Sequence, residues 1–335
     1  MVKWLGMIGV AVGLLLGVPL GGAELLASIQ SGAPSGELLY LNRGDIWRLD
    51  LASNSQTLLV HPPAGIVTRL SHSPDRGQIV YSVLFLDQMY RIQAAEIVAS
   101  DANGANAQTV VREEEPGFSL GWATFSHEPS KIIYAKENAA RRVERVEEVD
   151  RATGERTLIV EGGSAPAASP ARPQFAYQTR PSLRTTIWTR DRVTGADAEL
   201  VKAEWFEDAD IAVYSPDGSN LAFIAAGPGP TVGSIFPSGL QALSDLVRPE
   251  VAAAHDMPGV FFDLWVAPTN GGTPRRVTEL FDLQPEITWS PDGRFIASMG
   301  ALQLQIVDVA TGAKTSIPRP NGSGQLSWGG TRVGG

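Results

Sequence analysis

The strongest constraint on the fold is a short phrase that recurs along the chain. Residues 214–218 read Tyr-Ser-Pro-Asp-Gly and residues 289–293 read Trp-Ser-Pro-Asp-Gly, with weaker copies at 72–75, 125–128, 168–171 and 327–330. Asp accepts hydrogen bonds from nearby backbone amides and Gly tolerates a positive φ, so each copy predicts a tight turn. A phrase that returns at intervals along a whole chain indicates a repeat architecture.

The segments between the phrases predict strands. A strand that ends in an aromatic residue follows most copies, as at Tyr81, Tyr134, Tyr177 and Phe223. A further strand then closes on an Asp-x-x-Thr-Gly turn, as at 150–154, 191–195 and 308–312. β-branched and aromatic residues between such turns are typical of strands. Each unit is therefore four short strands, and several units must pack together because one alone cannot bury both of its faces.

The two ends of the repeat region indicate that the units form a ring. The first unit, 36–60, has only three strands, whereas a lone first strand stands at 324–328. Joining that strand to the first unit completes a sixth blade and leaves no open sheet edge. We therefore predict an all-β fold: a six-bladed β-propeller over residues 36–335, closed by the C-terminal strand joining the first blade.

The order of aromatic residue, Ser-Pro-Asp-Gly, strand and Asp-x-x-Thr-Gly resembles the repeat of TolB-like and WD-repeat-like propellers. The resemblance covers nearly all of residues 36–335 and extends to the propeller of prolyl oligopeptidase-type enzymes. Because the repeats run to the last residues, we expect no hydrolase domain of that type here. The TolB-like resemblance implies a protein of the cell envelope that binds other proteins.

One unit is interrupted by a long insertion at about 228–262 in blade five. Its middle carries Leu240, Leu243, Leu246 and Val247 at helical spacing, which predicts a helical insertion. Long insertions in compact repeats are often functional, so Leu243, Leu246 and His255 are candidate partner-binding residues. Two interpretations remain open: a lid or docking arm over the central channel, or a loop that packs on its own blade.

The links between blades are acidic. The candidate partner-binding residues in these links are Glu113, Glu114, Glu115, Glu207, Asp208, Asp210 and Asp282. Such a rim would attract a basic partner or a cation, although ordinary solvated loops have the same composition. The formal net charge of −9 argues against nucleic acid as a partner, because an acidic surface repels phosphate backbones.

The first residues predict export. A secretory signal at 1–23 is indicated by the basic Lys3, the apolar run over 4–20 and the small residues up to Ala23. A linker at 24–35 follows it. An uncleaved membrane anchor is the alternative, because the run approaches the length that spans a bilayer, and it would be the only membrane contact. Both place the propeller in the periplasm, outside the cell or at the cell envelope.

No motif stands in a catalytic context. The Gly-x-Ser-x-Gly run around Ser119 leads into a strand, whereas serine hydrolases need a strand-to-helix turn there. The chain has no cysteine, and none of its histidines is paired at metal-ligand spacing. We predict a non-catalytic propeller without cofactor or metal that binds a protein or peptide on its loop face. A hydrolase or lactonase with a metal in the channel, and a small-molecule or sugar sensor, remain alternatives.

Overall fold

The computed structural model describes residues 34–180, 184–227, 229, 261–282, 285–300, 303–318, 320 and 325–330. The predicted signal at 1–23, nearly all of the linker at 24–35, and Leu243, Leu246 and His255 of the insertion lie outside the described residues. In the described part every regular element is a strand, and no helix there is long and apolar enough to cross a membrane.

The strands follow one another in the regular spacing that the repeat predicts. In chain order they are β1 (Glu37–Asn42), β2 (Asp45–Asp50), β3 (Gln56–Val60), β4 (Ile66–His72), β5 (Gln78–Leu86), β6 (Ile92–Asp101), β7 (Gln108–Glu113), β8 (Ser119–Phe125), β9 (Lys131–Asn138), β10 (Val143–Asp150), β11 (Arg156–Glu161), β12 (Ser164–Ala168), β13 (Gln174–Thr179), β14 (Thr186–Asp191), β15 (Asp197–Val201), β16 (Asp208–Tyr214), β17 (Asn220–Ala226), β18 (Phe262–Pro268), β19 (Arg275–Asp282), β20 (Glu286–Trp289), β21 (Phe295–Met299), β22 (Leu304–Asp308), β23 (Lys314–Ile317) and β24 (Leu326–Trp328).

These strands form six four-stranded antiparallel sheets, which are the blades. Blade one has the order β24-β1-β2-β3, and blades two to six are β4–β7, β8–β11, β12–β15, β16–β19 and β20–β23. The first strand of each sheet is the inner one, and the inner strands β4, β8, β12, β16, β20 and β24 contact one another in succession around the axis, with β24 against β4. The predicted all-β six-bladed propeller is confirmed.

The two faces of the ring carry different connections. The inner strands begin on the face that bears the links between blades, which we call the link face. They end on the face that bears the Ser-Pro-Asp turns, which we call the phrase face. Because neighbouring strands are antiparallel, the turns between second and third strands also lie on the link face. The turns between third and fourth strands lie on the phrase face.

The second strand of each blade is the centre of its core. β1, β9 and β17 each carry a run of buried side chains rather than an alternating pattern. Successive side chains of a strand point to opposite faces, so both faces of these strands are covered by neighbouring blades. Each fully buried aliphatic or aromatic side chain contributes roughly 1.5–3 kcal/mol to folding.

The last strand, β24, is held by three blades. It pairs with β1, with Leu38 opposite Trp328. From blade two, the His72 amide and Nδ1 lie 3.1 and 2.7 Å from the Ser327 hydroxyl. From blade six, the Thr288 hydroxyl accepts the Trp328 amide at 3.3 Å. Burial lowers the pKa of His72 to about 3, so this histidine is neutral at physiological pH.

The recurring phrase folds into the same turn in three blades. In blades two, five and six the Ser hydroxyl donates to the phrase Asp at 2.5 Å, and it accepts the amide five residues after the Ser at 2.9–3.0 Å. The bonds from Ser215 and Ser219 lower the pKa of Asp217 to about 2. Ser suits this position in these three blades because its hydroxyl donates and accepts at once.

We expect Ser290→Ala to lower the free energy of unfolding by about 1–3 kcal/mol, because it leaves the amide of the buried Phe295 without its acceptor. Ser316→Ala, on the exposed strand β23, is the matched control and should change it by about 0.5 kcal/mol or less. Urea denaturation followed by circular dichroism measures both. Equal losses in the two variants would show that the phrase serine has no special role.

Candidate functional site

The candidate site is the link-face half of the central channel, where the inner strands depart from regular geometry. Four of them shift register: β4 at Val67/Arg69, β8 at Gly121/Thr124, β12 at Ser164/Ala167 and β16 at Asp210/Val213. Three non-glycine residues in these bulges have positive φ: Trp122 (53°), Ala165 (45°) and Ile211 (48°). Such conformations cost free energy and occur preferentially near functional sites, where a bulge redirects a side chain.

Arg69 links three blades across this part of the channel. Its Nη1 donates to Oε1 of Glu286 in blade six at 2.7 Å, and its Cζ lies 3.6 Å from the ring centroid of Trp122 in blade three. Burial raises the pKa of Glu286, and the charge of Arg69 only partly offsets this. Among the described residues, the buried Oε2 of Glu286 has no hydrogen-bond partner. We call Arg69, Trp122 and Glu286 the channel cluster.

Two of the acidic residues predicted as partner-binding border this cluster. Asp210 accepts from Gln178 Nε2 at 3.0 Å and from the Ile211 amide at 2.8 Å, and its charge raises the pKa of Glu286. Asp208 accepts the hydroxyl of Thr185 at 3.0 Å. Both carboxylates are thus fixed by blade four, which gives the channel a preorganised acidic side.

The three consecutive glutamates of the second link are paired with cations. Lys136 Nζ lies 2.5 Å from Glu113, Arg112 Nε lies 3.0 Å from Glu114, and Arg141 pairs with Glu115. These pairs offset the negative charge that the sequence assigns to this link. A role of these glutamates in binding a partner stays a prediction.

The remaining candidates are separated. Glu207 is exposed in the link before β16, whereas Asp282 is buried at the end of β19. The Asp282 carboxylate packs against the backbone of Gly300, where a Cβ would overlap it. Asp282 is therefore part of the packing between blades five and six rather than of an open rim.

The link face also displays apolar side chains that sequence reasoning missed. Of the large hydrophobic residues that are exposed in the described part of the chain, those on this face are Ile66 (39%), Met89 (67%), Tyr90 (85%) and Phe261 (39%). Exposed aromatic and Met side chains are enriched where proteins bind one another. The sequence signal was weak, because Met89 and Tyr90 lie in a turn without a repeat counterpart.

The turn that carries Met89 and Tyr90 is held by Asp87. The Asp87 carboxylate accepts the amides of Met89 and Arg91 at 2.8 and 3.0 Å, and Arg91 Nε donates to it at 2.8 Å. These bonds lower the pKa of Asp87. Tyr90 has a φ of 59°, which is unusual for a bulky residue. The backbone of the loop is thus fixed, and it presents two exposed apolar side chains.

Two arrangements considered from the sequence, a metal cluster and a serine-hydrolase turn, are not formed in the described residues. No three His, Cys, Asp or Glu side chains there lie close enough to hold a metal ion. Ser119 begins strand β8, and its hydroxyl lies 3.5 Å from the backbone carbonyl of Glu137. The strand-to-helix turn of a serine hydrolase is therefore not formed around it.

Comparison with solved structures places the chain among propellers. It is similar to TolB from Acinetobacter baumannii (TM-score 0.63, 14% identity, 95% of this chain and 75% of that one). It is similar to a chain of a nidogen/laminin complex (TM-score 0.61, 13% identity, 87% and 97%) and to oligogalacturonate lyase in complex with manganese (TM-score 0.53, 14% identity, 82% and 70%). No family model and no curated protein matches the sequence. At these identities the likeness shows the fold alone, with TolB-like six-bladed propellers among the neighbours.

We expect Arg69→Gln to destabilise the protein by about 3–5 kcal/mol at neutral pH, because it removes the cation that pairs with the buried carboxyl of Glu286. Because the pKa of Glu286 is raised in the folded protein, the folded state binds this proton more tightly than the unfolded state does. Glu286 therefore favours folding at low pH and opposes folding as the pH rises. The loss should therefore shrink between pH 7 and pH 5. Adding Glu286→Gln should restore most of it, and denaturant titrations at both pH values measure these changes. A loss independent of pH and unaffected by Glu286→Gln would contradict this account.

We expect Gly300→Ala to lower the free energy of unfolding by about 1–3 kcal/mol, because the added Cβ displaces the buried Asp282 carboxylate. Gly121→Ala is the matched control, since a Cβ there meets nothing within 4 Å. Thermal and denaturant unfolding of both variants measure the difference. If the two variants were equally stable, the contact between Gly300 and Asp282 would be loose.

Proposed function

We propose that this protein is an exported, non-catalytic propeller that binds a protein or peptide partner on its link face. The observation that carries the proposal is the turn whose backbone is held by Asp87 and which exposes the side chains of Tyr90 and Met89. A preordered apolar anchor loses little conformational entropy when it is buried by a partner. Tyr is also among the residues that contribute most to protein–protein affinity.

The channel cluster provides the polar part of the same binding face. Arg69 is held by Glu286 and Trp122, so its position is fixed before any ligand arrives. The second oxygen of Glu286 is a buried acceptor that a donor from a bound segment would satisfy. A partner that covers Tyr90 and sends an extended segment into the channel mouth would use both features.

The structural neighbours support binding as a class of function. The nidogen/laminin structure is a complex between proteins that contains a propeller of this fold. The oligogalacturonate lyase neighbour shows that the fold also serves enzymes, so fold alone does not separate the two classes. The proposal therefore rests on the link-face residues of this chain, together with the export signal that residues 1–23 predict.

Site-specific photo-crosslinking tests which face binds a partner. A photoreactive phenylalanine analogue would replace Tyr90 on the link face in one bait and Val193 on the phrase face in the other. The two positions are matched, with exposed fractions of 85% and 77%. The full chain, with its own N-terminus, would be expressed in the native organism and irradiated in intact cells, and the adducts would be identified by mass spectrometry.

We expect the Tyr90 position to give one defined protein adduct that the Val193 position does not give. Tyr90→Ala combined with Met89→Ala should then reduce retention of that protein by at least about thirtyfold, because the loss of one hot-spot residue costs about 2 kcal/mol or more. An adduct from Val193 alone would move the binding face to the opposite side. Adducts from neither position would overturn the proposal.

A further inference from the structure

A cavity of about 460 Å³ opens on the phrase face between blades five and six. Blade five contributes Asn220 and Val266 to its wall, and blade six contributes Trp289 and Val309. The phrase carboxylates Asp217 and Asp292 line it as well. This is the size range of pockets that hold small ligands. It lies on the opposite face from the channel cluster and the Tyr90 loop.

The corresponding junction between blades two and three is filled by an arginine. Arg151 directly follows Asp150 of the turn between the third and fourth strands of blade three. Its Nη1 donates to Gln78 of blade two at 2.9 Å, and its Cζ lies 5.4 Å from the ring centroid of Phe125. The guanidinium thus bridges the preceding blade while lying over an aromatic ring of its own blade.

An arginine also joins blades three and four, with receiving residues at other repeat positions. Arg192 directly follows Asp191, and its Nη2 donates to Oε2 of Glu148 in blade three at 2.6 Å. Its Cζ lies 5.9 Å from the ring centroid of Phe175 in blade four. In two of the six blades the residue after the turn Asp is thus an arginine that joins two blades, whereas blades one, two and five have Leu51, Ala102 and Thr269 at that position.

In blade six the same repeat position holds Val309, directly after Asp308. Two of the features that receive Arg151 between blades two and three are retained. Asn220 stands five residues after its phrase serine, as Gln78 does, and it supplies an amide. Trp289 directly precedes its phrase serine, as Phe125 does, and it supplies an aromatic ring. The cavity is lined by these two residues and by Val309, which has no guanidinium to fill it.

The charges around the cavity favour a cation. Asp217 and Asp292 each accept a phrase hydroxyl at 2.5 Å, and the pKa of Asp217 is lowered to about 2, so that carboxylate is ionised at neutral pH. Arg275 also lines the cavity, but its Nη2 donates to the Val309 carbonyl at 2.9 Å. Two carboxylates against one engaged guanidinium leave a net negative charge of about one unit.

We propose that this cavity binds the guanidinium group of an arginine side chain carried by a polypeptide partner. Guanidinium suits the cavity better than an ammonium group, because a planar cation can stack on Trp289 while its fork of donors reaches a carboxylate and an amide oxygen. The partner's arginine would make the same kinds of contact here that Arg151 makes within the chain between blades two and three.

Isothermal titration calorimetry with N-acetyl-arginine amide tests the proposal. N-acetyl-citrulline amide, which is neutral and has nearly the same shape, and N-acetyl-lysine amide are the ligand controls. The decisive variant is Val309→Arg, which supplies the missing side chain from the chain itself. Val193→Arg is the matched control, because it adds the same charge at an exposed position of the corresponding turn in blade four.

We expect the arginine compound to bind the unaltered protein at least about tenfold more tightly than either control compound. Val309→Arg should abolish this binding and raise the unfolding temperature, whereas Val193→Arg should leave both unchanged. Asp292→Asn, which keeps the turn acceptor but removes the charge, should weaken binding and would decide the case if Val309→Arg failed to fold. Equal binding to Val309→Arg, or no preference for arginine over citrulline, would overturn the proposal.

Discussion

The structure depends on the burial of the second strand of every blade on both of its faces. β1, β9 and β17 carry runs of consecutive buried side chains, so neither face of their sheets can be left to solvent. A single blade cannot meet this requirement, but six blades in a ring cover one another. The last strand, β24, helps to cover β1 in the same way. Its Trp328 is fully buried beside Leu38 and Tyr40 in the core shared by blades one and six.

The ring brings inner strands together, and the channel is the consequence. In regular strands the side chains alternate between the two faces of the sheet, which here pack against neighbouring blades. The bulges at Trp122 and Ile211 break that alternation at the cost of positive φ. The result is a guanidinium that lies against Trp122 and bonds to a half-satisfied carboxylate at Glu286. This arrangement stabilises the ring only in part, since burying a charge pair is costly, and it leaves polar capacity for a ligand.

Departures from the repeat are informative because the repeat shows what each position does by default. In blades three and four the residue after the turn Asp is an arginine that joins two blades, and in blade six it is Val309, beside an open cavity. In blade two the turn between second and third strands carries Met89 and Tyr90, which pack against no core and are fixed by Asp87. The two departures lie on opposite faces and provide different chemistry, apolar on the link face and cation-binding on the phrase face.

The sequence by itself determined the turns, the strands and the number of blades. Ser290 and Asp292 bond within a few residues of each other, and the burial of a strand is encoded in its own run of side chains, so both can be recognised locally. Only the tertiary structure decided which charges meet. Arg69 and Glu286 are 217 residues apart in the sequence and pair across the channel. Lys136 lies on β9 and neutralises the charge of Glu113 at the end of β7. The cavity beside Val309 exists only because blades five and six lie side by side. The physical reason is that contacts within a turn depend on local backbone geometry, whereas pairing between blades depends on where the ring places strands that the sequence keeps far apart.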